Sequence, residues 1–165
     1  MKKLRKTLLS ALTYLVMFII IYTAVNLWRS PVMPDGPSLI YQNSSKQVVD
    51  VVAQSHDAPV LIYFWGSWCG VCRTTGPNVQ TLHANGHDVL SVAVSSGNDD
   101  ELLAYMNKHG YDFYTLNDQQ GVIFHEWGGQ VTPSFVILDD GKVAQSFTGI
   151  APLWLLRLRM WWAGL

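Results

Sequence analysis

From Thr7 to Trp28 the chain carries no charge, and Leu, Ile, Val, Phe, Met and Tyr fill most positions. Lys2, Lys3, Arg5 and Lys6 precede this run and Arg29 closes it. At ~1.5 Å per helical residue, its twenty-two residues are long enough to cross a hydrocarbon core of ~30 Å. A secretory apolar region spans only ~7–15 residues before a small-x-small cleavage site. This run is longer, and Ala24-Val25-Asn26-Leu27-Trp28 offers no good cleavage triplet. An uncleaved signal anchor over residues 7–29 is therefore expected, ahead of a cleaved signal peptide or a buried core helix. The basic flank places residues 1–6 on the cytoplasmic side and everything after Arg29 outside.

Beyond the anchor the pattern changes to short apolar runs separated by turn residues. Residues 30–37 hold three prolines and a glycine and predict a stiff linker, which leaves 38–165 as one domain. A short strand is expected over Ser38–Tyr41. Ser44 or Ser45 can cap a helix carrying Val48, Val49, Val51 and Val52. Asp57-Ala58-Pro59 is a turn. The continuous apolar run Val60–Trp65 suits a central strand buried on both faces. A helix from about Cys72 to Asn85 follows, stopped by Gly86 and kinked by Pro77. Val89–Val94 is a second buried strand, Asp99–His109 a helix ending at Gly110, Phe113–Leu116 a strand and Gln119–Trp127 a short helix. Ser134–Leu138 and Lys142–Thr148 form a hairpin across Asp139-Asp140-Gly141. Pro152 then opens a C-terminal helix. Packing of its Leu and Trp side on the sheet is expected; a membrane-facing role, with Arg157 and Arg159 on one side, is the alternative. Strands alternating with helices and closing in a hairpin give an α/β domain with a mixed sheet.

Charge sharpens the division. Five of the eleven basic residues lie in positions 1–29 and all twelve acidic residues lie beyond, so residues 30–165 carry six basic against twelve acidic, a formal −6. No basic patch points to nucleic acid. His56, His83, His87, His109 and His125 are scattered without ligand spacing, and Gly86 ends the helix between His83 and His87, so no metal set is expected.

The chemistry concentrates in Cys69 and Cys72, the only cysteines, spaced as Cys-Gly-Val-Cys behind a predicted buried strand. A thiol at a helix start meets unsatisfied N–H groups and the positive end of the helix dipole, both favouring the thiolate. A second thiol one turn later can displace a mixed disulfide formed by the first. So short a loop constrains the unfolded chain little, which argues against a merely structural bridge. The active edge of such a sheet lies at the carboxyl ends of its strands, where this motif falls.

Phe64-Trp65-x-x-Trp68-Cys69-x-x-Cys72, Pro77 five residues on, and Val131-Thr132-Pro133 before a strand resemble the thioredoxin superfamily over roughly residues 38–162. The resemblance implies a cis Thr132–Pro133 bond in a loop that faces the cysteines and binds substrate chain in extended form. It also implies an attacking thiolate at Cys69, a resolving thiol at Cys72 and a partner-contacting Trp68, with Gly70 and Val71 tuning redox poise. Val94 to Pro133 leaves room for an extra strand and helix, which with the anchor looks like the exported TlpA/ResA group. Cys-x-Val-Cys-Arg-Thr and Gly-Gly-Gln-Val-Thr-Pro look most like the suppressor-of-copper-sensitivity protein D (ScsD-like) subgroup.

Two positions depart from the pattern. Tyr63 stands where many thioredoxins carry a buried acid, and Thr75 where cytochrome-maturation reductases often carry one. Glu126 is a possible substitute, but a surface position on a short helix is expected for it. The resemblance thus implies a single-pass protein of the bacterial inner membrane with a periplasmic thiol–disulfide oxidoreductase domain and no cofactor. It would exchange, and preferentially reduce, disulfides of exported proteins, fed by a membrane thiol-electron donor. A Cu(I)-binding or copper-stress role for the same two thiolates is the alternative.

Overall fold

The computed structural model describes residues 2–32, 40–42 and 48–165. The chain opens with α1 (Lys2–Arg29), then β1 (Ile40–Gln42), β2 (Val48–Asp50), α2 (Val51–Gln54), β3 (Val60–Trp65) and α3 (Gly70–Ala84). It continues through β4 (Asp88–Val94), α4 (Asp99–His109), β5 (Tyr114–Asp118), α5 (Val122–Glu126), β6 (Ser134–Asp139), β7 (Lys142–Thr148) and α6 (Leu153–Ala163).

Strand β3 is buried along its whole length, as its unbroken apolar run requires. It pairs in parallel with β4, which pairs in parallel with β5; on the other side it pairs antiparallel with β6, which turns into β7. The mixed sheet therefore runs β5-β4-β3-β6-β7. Alternation along β3 splits the core. Leu61, Tyr63 and Trp65 pack with Val79 and Leu82 of α3, Leu102 and Met106 of α4, and Leu156 and Met160 of α6. Val60, Ile62 and Phe64 face the opposite side, with Val51 of α2 and Trp127 just after α5. The strand and helix that the length between Val94 and Pro133 allowed for are β5, an edge strand, and α5.

Most elements lie within two residues of their expected places, and α4 matches at both ends. Its Asn98 side chain accepts from the Glu101 N–H while the Glu101 side chain accepts from the Asn98 N–H, and Gly110 closes it in the left-handed region. The expected valine helix is corrected. Val48 and Val49 lie in β2, paired antiparallel with β1, and only Val51–Gln54 is helical. Asp50 makes the break: its backbone is extended, and its carboxylate accepts from the Val52 and Ala53 N–H groups. β-branched valines suit the extended side of that break. Ser44, Ser45 and most of the 30–37 linker lie outside the described residues.

Helix α1 contains one window, Leu9–Asn26, long and apolar enough to cross a membrane, with mean hydropathy 1.8 and none of it buried against the protein. Its last turn meets the domain. Asn26 Oδ1 accepts from the Thr148 N–H (3.2 Å) and the Thr148 hydroxyl (2.7 Å) at the end of β7. Immediately beyond, Ser30 and Pro31 are buried, the Ser146 hydroxyl donates to Pro31 O, and the Val32 N–H donates to Trp127 O.

Candidate active site

The carboxyl end of β3 delivers the chain into Gly66-Ser67-Trp68 and then into α3. The helix begins at Gly70, two residues before the expected start, because Cys69 itself is the N-cap. Cys69 has extended backbone, and its sulfur accepts from the Cys72 N–H at 3.1 Å. A cysteine sulfur here fills the place a serine or aspartate oxygen usually takes, so a backbone donor and the helix dipole both act on it. Cys69 and Cys72 are joined as a disulfide. Both are buried, Cys69 slightly less than Cys72.

The loop before β6 closes the other side. Thr132–Pro133 is a cis peptide, as the resemblance implied, and Cys69 Sγ lies 3.6 Å from Thr132 O. Pro133 is buried, and its carbonyl accepts from the Gly149 N–H beyond β7 at 2.9 Å. The Ser134 hydroxyl donates back to Val131 O, tying the loop to the start of β6. Residues 63 apart in sequence therefore meet at the sulfur, because β3 and β6 are neighbouring strands.

Trp68 stands beside the disulfide with its ring 59 % exposed while its indole N–H donates to Val94 O at 3.0 Å. It is thus held in place yet open to a partner. Val71, between the two cysteines in the chain, is also exposed. Gly70 and Val71 form the first helical turn between the cysteines. Pro77 lies in the interior of α3, about 7.5 Å along the axis from Cys72, on the exposed side and away from the disulfide.

Tyr63 occupies the space behind Cys72. It is fully buried, stacked between Trp65 and Phe135, and its hydroxyl points at Cys72 O at 3.5 Å. Burial pushes its phenol far above the usual tyrosine range, and the Tyr111 and Tyr105 phenols push the same way. Thr75 is buried too, its hydroxyl donating to Val71 O. Glu126 ends α5 on the surface, as expected.

Sequence reasoning missed Ser96. Its buried hydroxyl accepts from the Ser67 N–H (3.0 Å) and donates to Val94 O (3.1 Å), fastening the loop before the cysteines to the end of β4. Only its place just beyond a strand's carboxyl end could have marked it.

Residues 32–153 match the redoxin family model. The chain is 35 % identical over 162 residues to a thioredoxin-like protein of Haemophilus influenzae, spanning 98 % of this chain and 97 % of that one. A thiol:disulfide interchange protein DsbE homologue of Paracoccus denitrificans is 31 % identical over 93 residues, 54 % of this chain and 50 % of its own. Among solved structures, StoA from Bacillus subtilis superposes with a TM-score of 0.66 at 16 % identity, covering 78 % of this chain and 98 % of that one. The chain therefore belongs to the redoxin family, as a thioredoxin-like thiol–disulfide oxidoreductase.

Proposed function

We propose that this protein is anchored in the bacterial inner membrane by α1 and reduces disulfides of exported proteins with its periplasmic domain. The observation that carries the reading is the Cys69–Cys72 disulfide at the start of α3, with Cys69 Sγ against Thr132 O of the loop before Pro133. In the reduced protein the Cys72 N–H and the α3 dipole favour the Cys69 thiolate. That thiolate attacks one sulfur of a substrate disulfide, and the other substrate sulfur leaves as a thiolate that takes up a proton. Cys72, having lost its proton, attacks Cys69 Sγ; the second substrate thiol leaves and the Cys69–Cys72 disulfide forms. Two electrons pass to the substrate, and a membrane thiol donor returns them to the pair.

The substrate chain would lie along the Thr132–Pro133 loop as an added extended segment, with Trp68 against its side chains. The length and composition of Leu9–Asn26 support the anchor, with residues 1–6 inside the cell and 38–165 outside it. Motifs around both cysteines and Pro133 favour the ScsD-like subgroup within the wider family.

Substituting Cys72 by Ala leaves Cys69 unable to be resolved. In cells this variant should accumulate disulfide-linked partners that reductant releases and that the Cys69→Ser, Cys72→Ala double variant lacks. An empty trap, together with no exchange between the wild type and model disulfides, would overturn the reading. A wild-type pair found mostly oxidised in cells would reverse the proposed direction.

A further inference from the structure

Helix α6 has more apolar surface than the sheet uses. Leu156 and Met160 are buried against the core. Trp154, Leu158, Trp161, Trp162 and, just past the helix, Leu165 recur at helical spacing on another side, where the three tryptophans are 66, 62 and 68 % exposed. The helix contains no acidic residue and carries Arg157 and Arg159.

What covers this face follows from the level at which α6 sits. Arg159 donates to Gln145 Oε1 at 2.9 Å and lies over the Phe147 ring of β7 at 4.1 Å. Helix α1 packs against the same strand. Asn26, in the last turn of α1, is bonded to Thr148 at the end of β7. Helix α6 and the last turn of α1 are therefore both fastened to β7, at the end of the apolar window that closes at Asn26.

We propose that α6 is a second membrane contact: its tryptophan face rests in the headgroup layer of the bilayer that α1 crosses. This rests on the reading of α1 as a spanning helix. A bilayer thick enough to cover Leu9–Asn26 reaches the level of α6, whose unburied face must then meet lipid. Tryptophan suits that layer, with an apolar body and one N–H donor. Arg157, which is exposed, can lay its stem on apolar surface and raise its guanidinium to phosphate. Trp28, exposed at the end of α1, belongs to the same belt.

The test uses the full chain reconstituted in phosphatidylcholine vesicles containing a minor share of phosphatidylglycerol, with and without bromine on the acyl chains. Brominated lipid should quench the wild-type tryptophan emission, and the W154F/W161F/W162F variant should lose the larger part of that quenching. An unchanged rate of exchange with a soluble model disulfide certifies that the variant is folded. Quenching that survives the triple substitution overturns the proposal. So does a wild type whose three tryptophans escape quenching because the face is covered by a second copy, seen as a dimer that the variant does not form. Alkaline carbonate extraction reports on α1 separately. A chain released by carbonate overturns the spanning reading, while the quenching comparison still decides the contact of α6.

Discussion

At the scale of single residues, the question is how Cys72 loses its proton without a carboxylate at position 63 or 75. Tyr63 fills the space, but burial and the neighbouring phenols keep its proton bound far above the ordinary range. It stays neutral wherever the enzyme works, so it can donate but cannot act as a base. Its hydroxyl is 3.5 Å from Cys72 O, beyond a normal O–H···O bond, so that contact is weak. Tyr63→Phe should leave the pH profile of disulfide exchange unchanged near neutrality and cost no more than about 1 kcal/mol. Stability in alkali should respond. A folded-state pKa raised above the unfolded one gives stability that is complete below the unfolded value of ~10 and is lost as pH rises beyond it. The urea midpoint of the wild type should therefore fall above about pH 10, and that of Tyr63→Phe should fall less steeply. A displaced neutral-range rate profile in the variant would instead make Tyr63 part of the proton path.

At the scale of elements, the end of β4 holds the approach to the cysteines through the Ser96 hydroxyl on the Ser67 N–H and the Val94 carbonyl on the Trp68 indole. Ser96→Ala leaves the half-buried Ser67 N–H without its acceptor, at an expected cost of about 1 kcal/mol. Denaturant unfolding should register that loss, and hydrogen exchange should rise at Ser67 before it rises in β3. Such bonds explain what was and was not legible in the chain. The runs Val60–Trp65 and Val89–Val94 announced β3 and β4 because a strand buried on both faces must be apolar throughout. Asn98 with Glu101, and Gly110, bounded α4 by local bonds. Cys69, Cys72 and Pro133 carried their own motifs. The valine run misled because four apolar residues fit a helix face and a strand equally, and Asp50 decides between them by capping partway along. Ser96 and Asn26 gave no signal. Their partners lie 29 and 122 residues away, so only the finished fold shows what they bond.

At the scale of the whole molecule, α1 reaches the redox site through very few bonds. Thr148, held by Asn26, is the register partner of Ser134, the residue after Pro133. Gly149 then donates to Pro133 O, and Gln130, two residues before Thr132, donates to Trp28 O. Helix α1 is thus fastened to the loop that faces Cys69. These bonds hold α1 against the domain rather than leaving it free to swing. Asn26→Ala removes the acceptor shared by the Thr148 N–H and hydroxyl; at a half-buried site the expected cost is about 1 kcal/mol. Hydrogen exchange at Thr148 and Gly149 should rise in the full-length variant, while amides in β3 and α3 keep their protection. Exchange with a small soluble disulfide should continue at the wild-type rate, because the cysteines and the Thr132–Pro133 loop keep their own bonds. Unchanged protection at Thr148 would mean that α1 does not brace the domain.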